Sequence, residues 1–284
     1  MQDSSARLLI RCEDQPGIVA AVSNFFYHHG ANITDLDQHC SDPQGGTFFM
    51  RLEFQTPDLD MSGPLLEKNF GQAVAKPFAM QWQLHYAAKK KKMAIMVSKF
   101  EHALMELLWR HAQGELDADI TMVISNHPDM RQATERFGIP FYEIPVQKDN
   151  KEQAEQEALK LLEGVDLVVL ARYMQILSAN FINHFPEKII NIHHSFLPAF
   201  RGANPYQQAY DKGVKLIGAT AHYVTPELDM GPIIEQGVKR ITHRQSKDSL
   251  KETGQHLERQ VLARAVICHL QDRVLVDGCK TLVF

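Results

Sequence analysis

The stretch DLVVLARYMQILSANFINHFPEKIINIHHS, residues 166–195, decides the fold of the larger part of this chain. It begins with the continuous apolar run DLVVLA at 166–171, and a second apolar run lies within KIINIHHS at 188–195. Strands that are apolar on both faces are typical of parallel sheets buried between two layers of helices. We therefore predict that both runs are interior strands of such a sheet.

Apolar strand patterns and amphipathic helix patterns alternate on either side of this stretch. The strand patterns are 93–98, 119–125, 141–144, 215–224 and 231–241, and the helix patterns are 101–112, 129–136, 151–164 and 246–271. This alternation predicts a doubly wound, mainly parallel α/β domain. Ligands of such sheets bind beyond the carboxyl ends of the strands. We expect one cleft there, surrounded by the strand ends near Ser98, Ser125, Arg172 and His193.

The N-terminal part has a different organisation. Its patterns run strand, helix, strand, strand, helix, strand, over residues 6–12, 18–30, 31–40, 47–54, 61–74 and 78–86. Turn-forming residues between the second and third strands predict that these two strands pair as a hairpin. This order predicts a ferredoxin-like α+β domain.

The change of pattern gives the domain boundaries: a first domain at 1–86, a linker at 87–92 and a second domain at 93–284. The linker, AAKKKK, contains four consecutive lysines and has two interpretations. A basic run is either a patch for nucleic acid or a solvated connection. The net charge of −4 favours the solvated linker and predicts binding to neither nucleic acid nor membranes.

The composition predicts a globular protein of the cytoplasm. No apolar run reaches the roughly 18 residues that a membrane helix needs, and the N-terminus has no apolar signal core. The four cysteines have no CxxC or other tight spacing, which argues against a disulfide framework and a structural zinc site.

The segment NIHHSFLPAFRGANPY, 191–206, is the first candidate for chemistry. Asn191 and His193 are two residues apart at a strand end, so both side chains point the same way. An amide donor and an imidazole together suit the stabilisation of an oxyanion and the transfer of a proton. Pro198, Gly202 and Pro205 predict an irregular loop that forms a wall against the substrate.

The segment GATAHYVTPELDMGPII, 218–234, is the second candidate. Asp229 lies in a turn between two strands, where it is either an ionised catalytic carboxylate or a simple turn cap. His222 on the preceding strand is placed to orient that carboxylate or to join a proton relay.

Two further alternatives involve His194. A metal site of His193, His194 and Asp229 is conceivable, but no HxH or HExxH spacing is present, and adjacent strand residues face opposite sides. We predict no metal and interpret His194 as a structural residue. The chain also lacks GxGxxG, GxxxxGK[ST] and GxSxG.

Three runs in these segments resemble the folate-dependent formyltransferase superfamily: NIHHSFLPAF at 191–200, AHYVTPELDMGPII at 221–234 and ARYMQILS at 171–178. The resemblance implies that Asn191, His193 and Asp229 act on the formyl group of 10-formyltetrahydrofolate. DQPGIVAAVSNFFYHHGANI, 14–33, resembles an ACT domain, a module that senses amino acids.

The order of the two domains is similar to the deformylase branch of the superfamily. That branch hydrolyses 10-formyltetrahydrofolate to formate and tetrahydrofolate, which supplies formate for purine synthesis and balances the one-carbon pool. The segment 97–108 agrees, because it lacks the glycine-rich loop with which related transferases hold a substrate phosphate. Transfer of the formyl group to an amine and a non-catalytic regulator remain the alternatives.

The resemblance also implies the residues that bind ligands. We expect contacts to the folate from Tyr173, Met174, Gln175, Ile176, Leu177 and His222, and the alternative for Met174, Ile176 and Leu177 is ordinary core packing. An amino-acid effector, such as glycine or methionine, binds near Asp14, Gly17, Ile18 and Val19, and the chain forms a homo-oligomer. The alternative is an ACT-like domain that serves dimerisation alone. No cofactor is expected beyond the folate substrate.

Overall fold

A computed structural model describes residues 4–42, 44–198 and 205–284. The chain divides into two compact units, Met1–Lys90 together with Phe284, and Lys91–Val283.

The first unit has the predicted order of elements. They are β1 Ser5–Glu13, α1 Ile18–His28, β2 Asn32–Cys40, β3 Thr47–Gln55, α2 Gly63–Phe70 and β4 Gln81–Tyr86, and a π-helical turn, Gly71–Ala75, continues α2. The strands form one antiparallel sheet in the order β2-β3-β1-β4. The ferredoxin-like arrangement and the pairing of β2 with β3 are therefore confirmed.

Helix α1 covers this sheet because its apolar residues recur at helical spacing. Its buried residues are Ile18, Val22, Phe25 and Phe26. The ring of Phe26 lies 4.4 Å from that of Phe54 on β3 and 5.8 Å from that of Phe70 on α2. Gly30 ends the helix with φ 78°, where a Cβ would lie 2.4 Å from the carbonyl oxygen of Asp58. Only glycine fits this close approach of backbone to backbone.

The second unit contains nine strands and six helices among its described residues. The strands are β5 Lys91–Val97, β6 Ala118–Ser125, β7 Phe141–Glu143, β8 Leu167–Leu170, β9 Ile189–His193, β10 Leu216–Tyr223, β11 Ile233–Arg240, β12 Val274–Asp277 and β13 Lys280–Val283. The helices are α3 Glu101–Ala112, α4 Arg131–Glu135, α5 Lys151–Leu161, α6 Ala179–Asn183, α7 Pro205–Asp211 and α8 Lys247–Leu270, and a 3₁₀ turn, Pro128–Met130, precedes α4.

Seven of these strands form the predicted mainly parallel sheet, in the order β11-β10-β9-β8-β5-β6-β7. The strands from β9 to β7 are parallel, and β10 and β11 are antiparallel additions at one edge. One apolar core lies between the sheet and helices α3 and α8, and another lies between the sheet and helices α5 and α6. Both faces are therefore covered, and the doubly wound architecture is confirmed.

The structure differs from the sequence prediction at the linker 87–92, because β5 already begins at Lys91. The ammonium group of Lys91 donates to the carbonyl oxygens of His269 (3.1 Å) and Leu270 (3.3 Å) and contacts the carboxylate of Asp272. Carbonyl groups at the end of a helix have no partner within the helix and attract cations. Half of the lysine run therefore belongs to the second unit, and Lys91 caps α8.

Helix α8 is the longest, with 24 residues. The Ser246 hydroxyl accepts a hydrogen bond from the Ser249 amide at 3.2 Å and caps its first turn. Its buried stripe includes Leu250, Gly254 and Glu258, at a spacing of four residues. No helix in the described part of the chain is both long and apolar enough to cross a membrane.

Three short features were not predicted: α6, α7 and the hairpin of β12 and β13. α6 has five residues and begins where the Ser178 hydroxyl accepts a hydrogen bond from the Phe181 amide. Elements of this length are too short for hydrophobic periodicity to reveal. Most of the predicted loop at 198–205, including Gly202, lies outside the described residues.

We predict that Phe26→Ala lowers the free energy of unfolding of the first unit by about 3–5 kcal/mol, because it leaves a cavity among packed rings. The matched control is Tyr27→Ala, since the Tyr27 side chain on the same helix is 74% exposed. The chain has two tryptophans. In a Trp109→Phe background Trp82, which packs against Phe70, reports on this unit alone during urea unfolding. Equal midpoints for the two alanine variants would contradict the prediction.

Candidate active site

A cavity of about 460 Å³ lies beyond the carboxyl ends of β8 and β9. We call it the first cavity. Of the four strand ends predicted to surround it, Arg172 and His193 line it. The Ser98 hydroxyl accepts a hydrogen bond from the Met174 amide at 3.0 Å, so Ser98 supports its wall. Ser125 does not line it, and its hydroxyl accepts a hydrogen bond from the His127 amide.

Asn191 and His193 reach the first cavity from β9, and both line it. β9 pairs with β10 in a register that places Asn191 opposite His222 and His193 opposite Thr220. The intervening Ile192 is 3% exposed and packs in the core formed with α3 and α8. The alternation in the sequence therefore brings the amide and the imidazole to one wall.

Asp229 joins them from the segment that connects β10 to β11. Its backbone is left-handed, with φ 55°, and its side chain is 10% exposed. Oδ1 of Asp229 lies 3.3 Å from Nδ1 of His193 and 3.8 Å from Nε2 of His222. At Gly231 a Cβ would lie 1.7 Å from the carbonyl oxygen of Tyr223, so the return of the loop to β11 requires glycine.

The contact with His193 keeps Asp229 ionised. The facing His193 side chain lowers the pKa of Asp229, and this outweighs the opposing effect of burial. The distance of 3.3 Å is longer than the 2.7–2.9 Å typical of charge-assisted hydrogen bonds. Such contacts are often loose without substrate and shorten when substrate binds.

The other nitrogen of His193, Nε2, is buried and has no hydrogen-bond partner among the described residues. A buried polar atom without a partner costs free energy, and a ligand that bonds to it at this wall would remove that cost. The wall of the cavity thus offers a ring nitrogen to a polar group of a ligand.

His222 determines how the Asn191 amide is oriented. Nδ1 of His222 donates to the carbonyl oxygen of Tyr223 at 2.9 Å, so in the neutral ring Nε2 is an acceptor. Burial lowers the pKa of His222 and favours this neutral form. Nε2 lies 3.2 Å from Nδ2 of Asn191 and accepts one of its two N–H bonds. The amide oxygen is thereby turned away from His222, and one N–H remains for a ligand.

The five residues predicted to contact the folate follow β8 and line the first cavity: Tyr173, Met174, Gln175, Ile176 and Leu177. Met174 is 52% and Ile176 61% exposed, which is unusual for large apolar side chains and leaves them open to a ligand. Burial raises the pKa of Tyr173 to about 12, so its phenol stays protonated. The structure also places His222 in the lining, but its contacts there are with Asn191 and Asp229.

A second group of polar residues was missed by sequence reasoning. Glu258 on α8 is 1% exposed and accepts hydrogen bonds from Nε2 of His102 (2.8 Å) and the hydroxyl of Tyr206 (2.6 Å). Nε of Arg172 lies 3.5 Å away. Burial would raise the pKa of Glu258, but these partners lower it. Its place on the buried stripe of α8 was the available signal, since a glutamate there needs partners.

His194 was expected to face the opposite side from His193, and the structure corrects this. β9 ends at His193, so the strand alternation does not apply to His194. Its ring lies 5.3 Å from the ring of His193 and lines the same cavity. Across the described residues, no three His, Cys, Asp or Glu side chains are grouped to hold a metal ion.

The predicted effector residues lie at the start of α1 in the first unit. The Asp14 amide donates to the carbonyl oxygen of Gly46 at 2.9 Å, and the Asp14 carboxylate accepts from the thiol of Cys40 at 3.2 Å. Gly17 precedes the helix with φ 96°. Val19 is 37% exposed, whereas Ile18 is 2% exposed and belongs to the core. The Ile18 side chain is therefore not presented to solvent.

Comparison with known proteins gives two family matches. Residues 91–266 match the formyl transferase family, and residues 6–60 match the ACT domain. A formyltetrahydrofolate deformylase of Mycobacterium tuberculosis is 54% identical, over 98% of this chain and 90% of that protein. The protein of the same name from Bacillus subtilis is 52% identical, over 99% of this chain and 94% of its own length.

Solved structures give the same relationship. A formyltetrahydrofolate deformylase from Pseudomonas syringae superposes with a TM-score of 0.96 at 47% identity, covering 99% of this chain and 94% of that one. A glycinamide ribonucleotide transformylase from Symbiobacterium toebii covers 69% of this chain and 94% of its own, with a TM-score of 0.65 and 26% identity. The chain therefore belongs to the formyl transferase family, in the branch formed by the formyltetrahydrofolate deformylases.

Proposed function

We propose that this chain hydrolyses 10-formyltetrahydrofolate to formate and tetrahydrofolate. The observation that carries the proposal is the unpartnered Nε2 of His193, which lies in a wall that also holds Asn191 and Asp229. The name shared by relatives that cover nearly the whole chain supports the same reaction.

The first cavity is suited to a flat, partly apolar ligand such as a pterin. Its volume of about 460 Å³ lies within the range of roughly 300–1,000 Å³ common for small-molecule sites. The exposed Met174 and Ile176 supply apolar contact on the segment after β8, and Leu228 supplies it beside Asp229. We infer that the ring system binds against this segment, with the formyl group directed at β9.

In the reaction that we propose, the formyl oxygen receives hydrogen bonds from Nδ2 of Asn191 and from protonated Nε2 of His193. Water attacks the formyl carbon, so a carbon–oxygen bond forms and negative charge develops on the formyl oxygen. The carbon–N10 bond then breaks and its electron pair remains on N10. One proton passes from the attacking water to N10 by way of His193 and Asp229, and the formic acid loses its proton to solvent.

The arrangement favours the transition state over the bound substrate. A hydrogen bond to a full oxyanion is stronger than one to a neutral carbonyl, and one such donor contributes about 3–4 kcal/mol in related sites. Ionised Asp229 stabilises the imidazolium form of His193 as charge develops. The proposed route uses side chains, water and the folate alone, because the folate itself carries the one-carbon unit.

Water as the acceptor is supported by the segment after β5. The residue before α3 is Phe100, with an extended backbone at φ −90° and ψ 119°, and Glu101 occupies the first turn. A phosphate is favoured at a helix start by free amides and disfavoured by an adjacent carboxylate. We infer from this that a phosphate-bearing amine has no cradle here.

We further propose that the first unit binds an amino-acid effector near Asp14 to Val19 and joins copies of the chain into a homo-oligomer. The match of residues 6–60 to the ACT domain supports this role. We also place the enzyme in the cytoplasm, where its formate supplies purine synthesis and its turnover balances the one-carbon pool.

We expect glycine or methionine to raise the melting temperature of the full chain, because a ligand that binds only the folded state stabilises it. A thermal-shift series with a panel of amino acids measures this. Asp14→Asn is expected to weaken the shift, and Asp149→Asn, at an exposed turn of the second unit, is the control. The absence of a shift with every amino acid would refute effector binding.

The proposed reaction requires that the protein release formate from 10-formyltetrahydrofolate without any added amine. Asp229→Asn is expected to lower kcat by about 10²–10⁴-fold with little change in KM, because it removes the charge that supports proton transfer. Asp149→Asn is again the control. Turnover of Asp229→Asn close to that of the wild type would remove Asp229 from the mechanism.

Formate assays would also separate the rival functions. Tetrahydrofolate and a formylated amine that appear only with an added amine, without formate, indicate a transferase with the same site. Tight binding of the folate without any turnover indicates a regulator.

The role of His222 predicts a particular pH dependence. Its pKa is lowered, so the neutral acceptor persists below the ordinary value of 6.5, and protonation at still lower pH removes the bond from Asn191. His222→Gln keeps an acceptor at the position of Nε2 and cannot be protonated. We expect it to retain most of kcat and to lose part of the decline at acidic pH.

His222→Ala removes the acceptor and is expected to lower kcat, by less than the roughly 10²–10³-fold cost of losing an oxyanion donor outright. The pH profiles of kcat for the wild type and both variants measure this. An unchanged acidic decline in His222→Gln would show that another group titrates.

A further inference from the structure

His194 has no role in the reaction proposed above, yet it lies at the junction of two cavities. Beside the first cavity is a second one of about 370 Å³. Phe100, Arg172 and His194 line both. His194 adjoins His193 in sequence and lines the same wall, so it is next to the place where the formyl group would bind.

The ring of His194 is held in position from two sides. It meets the ring of His193 edge to face at 5.3 Å and the ring of Tyr206 edge to face at 5.9 Å. Tyr206 is fixed in turn by its hydrogen bond to Glu258. A Cβ at Gly254 would lie 2.0 Å from the Tyr206 hydroxyl, so this approach to α8 depends on glycine. A ring that is fixed from two sides can hold a small ligand in one orientation.

The two cavities differ in polarity. The first offers Met174, Ile176 and Leu228 to the folate. The second is lined by charged and amide side chains, among them Gln207, Lys247, Asp248, Lys251 and Gln255. A folate that fills the first cavity would exclude water from it, whereas the polar lining of the second cavity suits water.

The His194 ring is chemically suited to hold water. Burial, together with the nearby Arg172 guanidinium, lowers the pKa of His194 to about 3, so the imidazole is neutral at physiological pH. A neutral imidazole has one acceptor nitrogen and one N–H donor. The described residues provide no hydrogen bond to either nitrogen, and the ring contacts those of His193 and Tyr206. One nitrogen is thus available to accept from a water molecule.

We propose that His194 is a catalytic residue that accepts a hydrogen bond from the attacking water and directs the water oxygen at the formyl carbon, and that this water enters from the second cavity. The inference rests on the proposed hydrolysis and adds the origin of its nucleophile. His194 takes no proton, so the proton balance stays as described above. Its ring lines both cavities, together with Phe100 and Arg172.

The decisive comparison is between His194→Phe and His194→Gln. Phenylalanine keeps the ring contacts with His193 and Tyr206 but has no acceptor, whereas glutamine keeps an acceptor and lacks the ring. We expect His194→Phe to lower kcat for formate release by about 10- to 100-fold, because a misplaced reactant costs that much, with KM for 10-formyltetrahydrofolate nearly unchanged. His194→Gln should recover most of the loss. His243→Phe, at an exposed position outside both cavities, is the control.

A purely structural role gives the opposite order, with His194→Phe active and His194→Gln impaired, and that result would overturn the proposal. Equal turnover in all variants would overturn it as well. Binding of tetrahydrofolate, measured by calorimetry, should be the same in wild type and His194→Phe, which establishes that the variant is folded. If the wild type itself releases no formate, the proposed function fails and the role of His194 fails with it. If the wild type releases formate and His194→Phe is equally active, the role of His194 is overturned while the proposed function stands.

Discussion

The contact between Nδ1 of His193 and Oδ1 of Asp229 is the interaction on which the site depends, because it joins two segments that are far apart in sequence. His193 is fixed by the ladder of β9, whose position within the sheet is secured on both faces by apolar cores. Asp229 has no such support, and its left-handed backbone is unfavourable for a residue with a Cβ. The close return of the chain at Gly231 and the facing histidines hold it in place. Strain at a functional loop is thus offset by rigid neighbours.

The three histidines of the site show how position determines the role of a side chain. His222 is buried and His194 is half-buried, neither has a described carboxylate in hydrogen-bonding contact, and desolvation favours their neutral forms. His193 faces Asp229 directly, and this contact lowers the pKa of the Asp229 carboxyl. The neutral rings can accept hydrogen bonds, from the Asn191 amide in one case and from water in the other. Identical side chains therefore serve as the partner of a carboxylate and as neutral acceptors within one wall.

The sequence was sufficient for those parts of the structure that follow from periodicity. Continuous apolar runs predicted the interior strands, and the two-residue spacing of Asn191 and His193 predicted a shared wall. A catalytic role could be predicted for Asp229 only from the resemblance to a known family, because an aspartate in a turn also serves as a simple cap. The orientation of His194 was wrongly predicted because the strand ends one residue earlier. The partners of Glu258 come from α3, α7 and the end of β8, and no local pattern connects segments so distant in sequence.

Gly254 places a limit on how far this chain can be stabilised. A glycine inside a helix costs about 1 kcal/mol relative to alanine, so replacing it is an obvious way to strengthen α8. Here the added methyl group would meet the Tyr206 hydroxyl, and the ring that holds His194 would have to withdraw. Whether α8 tolerates a side chain at Gly254 thus depends on the cavity wall that the helix supports. In directed evolution for heat resistance, a substitution at Gly254 would strengthen helix α8 and at the same time displace the Tyr206 ring that holds His194 in position.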